Sequence, residues 1–217
     1  MSLTCANSEH MPHAIGLAAL DISCQRGGRI LYRDFSFRLA PGEALLVTGP
    51  NGAGKTSLLR QIAGLLPLAA GDLHLEGAGP DAALPELCHY VGHADAVKAR
   101  LSVDENLTFW ADFLGEDGAD VKAALAAFGL APLADLPAGL LSAGQKRRLA
   151  LSRLFAAPRA IWLLDEPQTS LDAASVKLLD TALKNHLATG GIAVVASHAA
   201  LKTKVARKLA LGKERVA

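Results

Sequence analysis

A glycine-rich segment that ends in a lysine and a threonine carries the strongest chemical signal in the chain. Residues 49–56 match the pattern G-x-x-x-x-G-K-[ST] in full. Glycines let backbone N–H groups turn inward around phosphates, and a following helix adds the positive end of its dipole. We expect Lys55 to supply charge for the β- and γ-phosphates of ATP, and Thr56 to bind Mg²⁺ through its hydroxyl. The residues predicted to bind ATP in this segment are Gly49, Pro50, Asn51, Gly52, Ala53, Gly54, Lys55, Thr56 and Ser57.

Two adjacent carboxylates follow a run of apolar residues further along the chain. Asp165 and Glu166 come directly after the run 161–164. Ligands bind at the carboxyl ends of strands in α/β sheets, so both side chains are predicted to lie at such an edge. Asp165 is expected to hold the magnesium ion through water. Glu166 is expected to polarise the water that attacks the phosphate.

The pattern of apolar residues predicts the elements that must position these groups. Continuous apolar runs at 44–47, 161–164 and 192–195 indicate buried strands. The segment 57–63 predicts a helix that Gly64 ends, and Asp172 is predicted to cap a later helix. Strands that alternate with helices imply a mainly parallel sheet.

A period-2 pattern and an alanine-rich stretch complete this outline. Residues 35–39 alternate apolar and polar types, which predicts a half-buried strand. Residues 94–150 are rich in Ala and Leu, and we interpret them as a helical lobe inserted into an α/β body. Within them Val121, Ala124, Leu125 and Phe128 lie on one helix face that Gly129 ends. Residues 1–14 are expected to be a loose leader.

Composition excludes several classes of protein. The chain has 217 residues, of which 51% are apolar and 20% charged, which excludes a disordered or fibrous protein. A net charge of +1 argues against a nucleic-acid partner. The cysteines, Cys5, Cys24 and Cys88, show no paired spacing, so neither a disulfide framework nor a zinc site is expected. No apolar run approaches the roughly 18 residues needed to span a bilayer.

Three further motifs follow the phosphate loop and resemble those of the ABC ATPase family. Leu141, Ser142, Ala143, Gly144 and Gln145 are similar to the family's signature, with Ala143 where glycine is commoner. Ser170, Leu171 and Asp172 resemble its D-loop, and His198 resembles its switch histidine. The resemblance covers residues 15–212 as a single ABC ATPase domain. It implies a P-loop NTPase core with a mainly parallel sheet, an N-terminal antiparallel β subdomain and an inserted helical lobe.

The resemblance also implies that two copies of the chain form complete sites. Each chain has one phosphate loop and one signature, so the signature of one copy would meet the γ-phosphate bound on the other. Asp172 would contact the partner's loop, and His198 would hydrogen-bond the γ-phosphate. Each residue also has a plain structural interpretation: Ser142 and Asp172 as helix caps, and His198 as a surface histidine.

Two positions depart from the usual family pattern. His93 stands where most relatives carry a glutamine near the metal and the attacking water. We treat it as a third catalytic candidate, and its ordinary pKa of about 6.5 suggests the hypothesis of pH-sensitive turnover. Arg26 stands where an aromatic residue stacks on adenine, and a guanidinium plane can also stack on a base. The alternatives are a solvated histidine and a solvated hairpin charge; nearby Tyr32 is out of register for stacking.

The chain resembles one branch of the family in particular. The resemblance to this branch rests on these departures, on the short helical lobe and on the sequence 141–148. That branch is the ATP-binding subunit of the bacterial haem exporter that serves cytochrome c maturation. It implies integral membrane partners and a peripheral place on the cytoplasmic face of the inner membrane. The alternatives are the ATPase of another ABC transporter and a soluble ABC ATPase that drives iron–sulfur type cofactor assembly. The chain lacks Cys-x-x-Cys-His, so direct haem binding is not expected.

Overall fold

The computed structural model describes residues 15–199 and 207–212. The predicted leader, residues 1–14, lies outside the described residues. The strands are β1 (Gly16–Arg26), β2 (Arg29–Leu39), β3 (Ala44–Thr48), β4 (Ala70–Glu76), β5 (Cys88–Val91), β6 (Ile161–Asp165), β7 (Ile192–Ala196) and β8 (Arg207–Ala210). The helices are α1 (Lys55–Ile62), α2 (Val103–Phe113), α3 (Val121–Ala127), α4 (Ala143–Ala156) and α5 (Ala173–Ala188).

A five-stranded parallel sheet forms the centre of the molecule. Its strand order is β5-β6-β7-β3-β8, and each neighbouring pair is parallel. Every residue of β6 and β7 is buried, as expected for strands covered on both faces. The three predicted buried runs are therefore confirmed as neighbouring strands of one sheet. This arrangement brings the residues that follow β3 and β6 to the same edge.

A smaller antiparallel sheet lies beside it in the order β2-β1-β4. Gly27 and Gly28 connect β1 to β2 with φ values of 55° and 77°. Two successive residues with positive φ form the tight hairpin turn whose twist suits the flanking strands. The alternation predicted for residues 35–39 is confirmed, since Phe37 and Leu39 are buried while Ser36 and Arg38 are exposed. The third strand, β4, follows α1 in the chain.

The chain between β5 and β6 is helical and has its own core. Buried side chains from α2, α3 and α4 pack together there, among them Val103, Leu107, Leu125 and Leu149. As predicted, Gly129 turns the chain with a φ of 65° just after α3. The predicted boundary at residue 150 falls inside α4, because this helix packs on both sides: Leu151 and Leu154 contact the core of the parallel sheet, and Ala156 contacts the core of the lobe.

Helices α1 and α5 agree closely with prediction. Helix α1 begins two residues earlier than expected, at Lys55, because the loop ends at Gly54 and the next residue is already helical. Gly64 follows it with a φ of 70°. Asp172 caps α5 by accepting a hydrogen bond of 2.7 Å from the Ser175 N–H. Within the described residues, no helix is long and apolar enough to cross a membrane.

Candidate active site

A cavity of about 700 Å³ opens at the edge where β3 and β6 end. We call it the phosphate cavity. It brings together Arg26 from the hairpin turn, His93 from the loop after β5, and the two carboxylates that close β6. Among the described residues, those that line it are Arg26, Gly27, Leu31, Asn51, Gly52, Gly54, Lys55, Thr56, Ser57, Arg60, His93, Asp165 and Glu166. Gly49, Pro50 and Ala53, also predicted to bind ATP, form the loop without lining this cavity.

The path of the loop depends on glycine at two of its positions. Gly49 has a φ of 140°, and a Cβ there would lie 2.4 Å from the Leu211 carbonyl oxygen. Gly54 has a φ of 102°, and a Cβ there would lie 3.0 Å from a ring carbon of Tyr32. Any side chain at these positions would be strained and would clash with its neighbours. The loop is therefore held close to β2 and to the chain after β8.

Lys55 is buried at the start of α1, and its ammonium bonds within the loop. It donates to the carbonyl oxygens of Gly49 at 2.8 Å and Pro50 at 3.3 Å. The same Nζ lies 3.0 Å from Nε2 of His198. That ring nitrogen also lies 3.1 Å from Oδ1 of Asn51, so His198 contacts two residues of the loop. The predicted loop lysine and the predicted switch histidine therefore meet directly.

Thr56 and Asp165 form an oxygen-rich pair beside the lysine. The Thr56 hydroxyl donates to Oδ2 of Asp165 at 2.8 Å, and Asp165 is only 3% exposed. Hydroxyl and carboxylate oxygens are ligands that Mg²⁺ prefers. No group of three or more His, Cys, Asp or Glu side chains that could hold a metal occurs among the described residues. Mg²⁺ at a nucleotide site uses one or two carboxylates and takes its other ligands from water and substrate phosphates, and the Asp165 carboxylate beside the Thr56 hydroxyl fits that requirement.

Glu166 has an unusual backbone and an unpaired oxygen. Its φ is 46°, which is uncommon for a residue with a Cβ, and its N–H donates to the Ala196 carbonyl at 2.8 Å. One carboxylate oxygen, Oε2, accepts from the His198 N–H at 3.3 Å. The other, Oε1, is buried without a hydrogen-bond partner among the described residues, 3.6 Å from Nε2 of His198. Leaving a buried acceptor without a hydrogen bond costs free energy, so Oε1 is available to accept a hydrogen bond from a donor that enters the cavity.

The residues that resemble the signature form a separate surface, which we call the signature segment (residues 141–145). Ser142 and Gln145 form a capping box at the start of α4, with hydrogen bonds of 3.2 Å and 2.8 Å. A Cβ on Gly144 would lie 2.7 Å from the Ser170 carbonyl oxygen, so this segment contacts the stretch that resembles the D-loop. Within the described part of the chain, neither stretch lines the phosphate cavity.

Comparison with known protein families matches residues 32–169 to the ABC transporter family. The chain belongs to this family. It is 51% identical over 185 residues to the cytochrome c biogenesis ATP-binding export protein CcmA of Bradyrhizobium diazoefficiens, covering 85% of this chain and 92% of that protein. It is 52% identical over 198 residues to the CcmA of Rhodospirillum rubrum, covering 89% and 84%. As a member of the ABC family, the chain is an ATPase.

A solved structure supports the fold of this ABC protein independently. An ABC transporter ATP-binding protein from Pyrococcus furiosus superposes with a TM-score of 0.78 at 22% identity. The match covers 90% of this chain and 97% of that one. The fold predicted from the motifs, an α/β ATPase with a parallel sheet, an antiparallel sheet and helices, is therefore confirmed.

Sequence reasoning missed four residues around the ABC phosphate loop. Gly27, Leu31 and Arg60 line the cavity. Arg60 could have been found, because it lies four residues after Thr56 on the same helix face. Tyr32 does not line the cavity; its buried ring packs against Gly54 and its hydroxyl donates to the Gln61 side chain. The interpretation of Tyr32 as out of register for stacking on adenine agrees with this position. The spacing of residues in the sequence did not predict that Tyr32 lies beneath the loop.

The groups beneath the loop are uncharged. Burial raises the pKa of the Tyr32 phenol, and burial likewise raises the pKa of the Cys24 thiol nearby. Both are therefore neutral near pH 7. The tyrosine hydroxyl is tied further into the molecule through Gln61, whose amide donates to the Ser23 carbonyl at 3.2 Å and the Pro67 carbonyl at 3.1 Å. The phosphate loop thus rests on a neutral, hydrogen-bonded support.

Proposed function

We propose that this chain is the ATP-hydrolysing subunit of a bacterial membrane transporter that serves the biogenesis of c-type cytochromes. The observation that carries the cellular role is the identity of about 50% with cytochrome c biogenesis ATP-binding export proteins, over 85% or more of the chain. The observation that carries the chemistry is the convergence of Lys55, Glu166 and His198 at one edge of the phosphate cavity. The domain responsible spans residues 15–212.

Hydrolysis needs a positioned water, and Glu166 is suited to hold it. Oε1 faces His198 with no hydrogen-bond partner among the described residues, so a water can donate to it. The water oxygen forms a bond to the γ-phosphorus, its proton passes to Glu166, and the bond from that phosphorus to the bridging oxygen breaks. ADP leaves with the electron pair of the broken bond. His198 and His93 are proposed to hydrogen-bond the phosphate and the water from either side.

Charge stabilisation comes from the loop and the first turn of α1. The three N–H groups of the Lys55 ammonium can exchange the Gly49 and Pro50 carbonyls for phosphate oxygens when ATP enters. The loop amides and the dipole of α1 add positive potential at the same place. Thr56 and Asp165 would hold Mg²⁺, which when bound neutralises charge on the phosphates. Arg26 would stack on the adenine from the hairpin turn.

A second copy of the chain would complete each site. The signature segment contacts the Ser170 carbonyl, yet within the described residues both stretches lie outside the phosphate cavity. The dipole and N–H groups at the start of α4 suit an anion, and the γ-phosphate bound to the other copy is the proposed one. Leu141, Ser142, Ala143, Gly144 and Gln145, with Ser170, Leu171 and Asp172, would therefore act across a two-fold interface.

The remaining partners follow from the proposed role. The chain would bind integral membrane subunits at the cytoplasmic face of the inner membrane as a peripheral protein. Its net charge of +1 gives no reason to propose a nucleic-acid partner. Haem would be handled by the membrane subunits or by a periplasmic chaperone and not by this chain. Export of haem and ATP-driven release of haem from such a chaperone would use the same ATPase cycle.

Capture of the partners tests this proposal. A tagged Glu166→Gln variant, trapped with ATP in native membranes, is expected to co-purify with the membrane subunits of cytochrome c maturation. Lys55→Ala is the matched control, since weakened nucleotide binding should reduce the trapped complex. Recovery of an unrelated permease would keep the transport motor and reject the cytochrome role. Recovery of soluble assembly proteins alone would reject a role at the membrane.

A further inference from the structure

Arg147 forms an unusually complete set of hydrogen bonds inside the molecule. It lies one turn into α4, just after the signature segment, and is 3% exposed. All three of its side-chain nitrogens donate. They reach the carbonyl oxygens of Asp165 at 2.8 Å, Glu166 at 3.0 Å, Pro167 at 3.3 Å and Gly92 at 2.7 Å, and Oδ1 of Asp95 at 3.1 Å.

Three of these acceptors lie on the backbone around the proposed general base. Glu166 holds a left-handed φ of 46°, which sterics disfavour for a residue with a Cβ. Three hydrogen bonds to its backbone hold this conformation. Its N–H donates to the Ala196 carbonyl at 2.8 Å, and its carbonyl accepts from Arg147 at 3.0 Å and from the Thr169 N–H at 3.1 Å. Strained backbone persists where the surrounding structure over-determines it, and Arg147 supplies one of these three restraints.

The other two acceptors flank His93, which also lines the phosphate cavity. Gly92 precedes the histidine, and Asp95 follows it by two residues. One nitrogen of Arg147, Nη1, donates to both. A single guanidinium on α4 therefore joins the loop that carries His93 to the strand end that carries Glu166.

We infer that Arg147 is a positioning residue that aligns Glu166 and His93 and ties their placement to the orientation of the signature helix α4. The inference rests on the proposed function, because it acts through Glu166. Arg147 does not line the phosphate cavity, so nucleotide affinity should not depend on it. The planar fork of the guanidinium serves five acceptors at once, which the single ammonium of lysine cannot reproduce.

The test separates the catalytic rate from nucleotide binding. In Arg147→Gln we expect kcat to fall roughly 10- to 100-fold, as small misplacements of catalytic groups do. KM and the dissociation constant of a fluorescent ATP analogue should stay within about twofold, since the loop contacts are intact. Arg147→Lys should lie between Arg147→Gln and the wild type. Arg148→Gln is the matched control, because its Nη1 donates to the Phe128 carbonyl on the other side of α4 at 3.0 Å; its kcat should be close to wild type.

The outcomes distinguish this inference from the proposed function. If the wild type hydrolyses ATP and Glu166→Gln does not, the proposed mechanism stands. A wild-type kcat in Arg147→Gln, or a loss of affinity as large as the loss of rate, then overturns the positioning role. Thermal unfolding checks that the variants fold. If Arg147→Gln does not fold, the kcat of Arg147→Lys becomes the test of the positioning role. An unchanged kcat in Arg147→Lys then overturns the inference.

Discussion

The phosphate cavity and the signature segment are equally clear as motifs, yet they differ sharply as structures. In the cavity, Lys55 and Asp165 are buried, and the side chains bond to one another across distant parts of the chain. In the signature segment, Ser142 and Ala143 are exposed, and the polar groups of the capping box satisfy one another locally. One region is assembled within the chain, whereas the other is a surface that residues 15–199 and 207–212 leave exposed.

Burial accounts for this difference between the two regions. A parallel sheet covered on both faces holds the ends of its strands rigidly, so the cavity is preorganised before a nucleotide arrives. A capped helix start needs only its own backbone and stays in place at an exposed surface. The signature segment therefore requires an outside surface to do chemistry, which a second copy of the chain would provide.

The largest expected effect comes from the cavity itself. Replacing Glu166 by Gln removes the proton acceptor, so kcat should fall by about 10²- to 10⁴-fold. ATP binding should persist, because the loop and Lys55 are unchanged. Steady-state hydrolysis together with equilibrium nucleotide binding measures both quantities. Near-normal turnover in this variant would remove Glu166 from the mechanism.

Mixing two inactive variants tests whether the phosphate cavity of one copy works together with the signature segment of another. Lys55→Ala and Ser142→Arg should each lower the ATPase rate by about 10²- to 10³-fold. The first removes a cation from the phosphates, and the second removes the helix cap and places a bulky side chain at the start of α4. An equimolar mixture should recover roughly a quarter of the wild-type rate, because half of the two-fold dimers then contain one intact site out of two. Recovery is measured by hydrolysis after mixing, with each variant alone as its control. If no ratio restores activity, the two regions do not meet across an interface.

A smaller effect is expected at the oxygen pair of the cavity. Thr56→Val removes the hydroxyl that donates to Asp165, while Thr56→Ser keeps it. We expect the Mg²⁺ concentration for half-maximal hydrolysis to rise at least roughly tenfold in Thr56→Val. A magnesium titration of the ATPase rate measures it. An equal magnesium requirement in the serine and valine variants would contradict the assignment of Thr56.

The smallest effect concerns the stretch next to the signature segment. Hydrogen bonds from Ser175, through its hydroxyl and its N–H, hold the pKa of the Asp172 carboxyl below its ordinary value. The stabilisation by this cap is therefore complete above the unfolded pKa of about 3.9 and is lost as pH falls through the lower folded pKa. Asp172→Ala should be less stable than wild type at pH 7, and the gap should close in acid.

Urea unfolding at several pH values measures that gap. Asp172→Asn is the control, because asparagine also caps helices but does not titrate. If the difference between wild type and Asp172→Ala were constant down to pH 2, the carboxylate would not be the stabilising group.

Local patterns predicted most of the elements near the site. The buried runs became β3, β6 and β7, and Asp172 caps α5, because a continuous apolar run or a capping residue acts over only a few neighbours. The spacing of Lys55, Thr56, Asp165 and Glu166 likewise predicted a shared edge, since parallel strands end together. Helix α4 was harder, because its buried side chains are divided between two cores: Leu149 and Ala156 pack in the helical lobe, whereas Leu151 and Leu154 pack against the parallel sheet.

The sequence by itself determined the membership of the ABC family and the identity of the groups available for phosphate chemistry. Only the tertiary structure decided how those groups are held. The packing of Tyr32 against Gly54 and the donation from Arg147 to the carbonyls around Glu166 join residues that are far apart in the chain. Such contacts depend on which buried polar groups must find partners after the sheets and helices have packed, and no local spacing encodes that requirement.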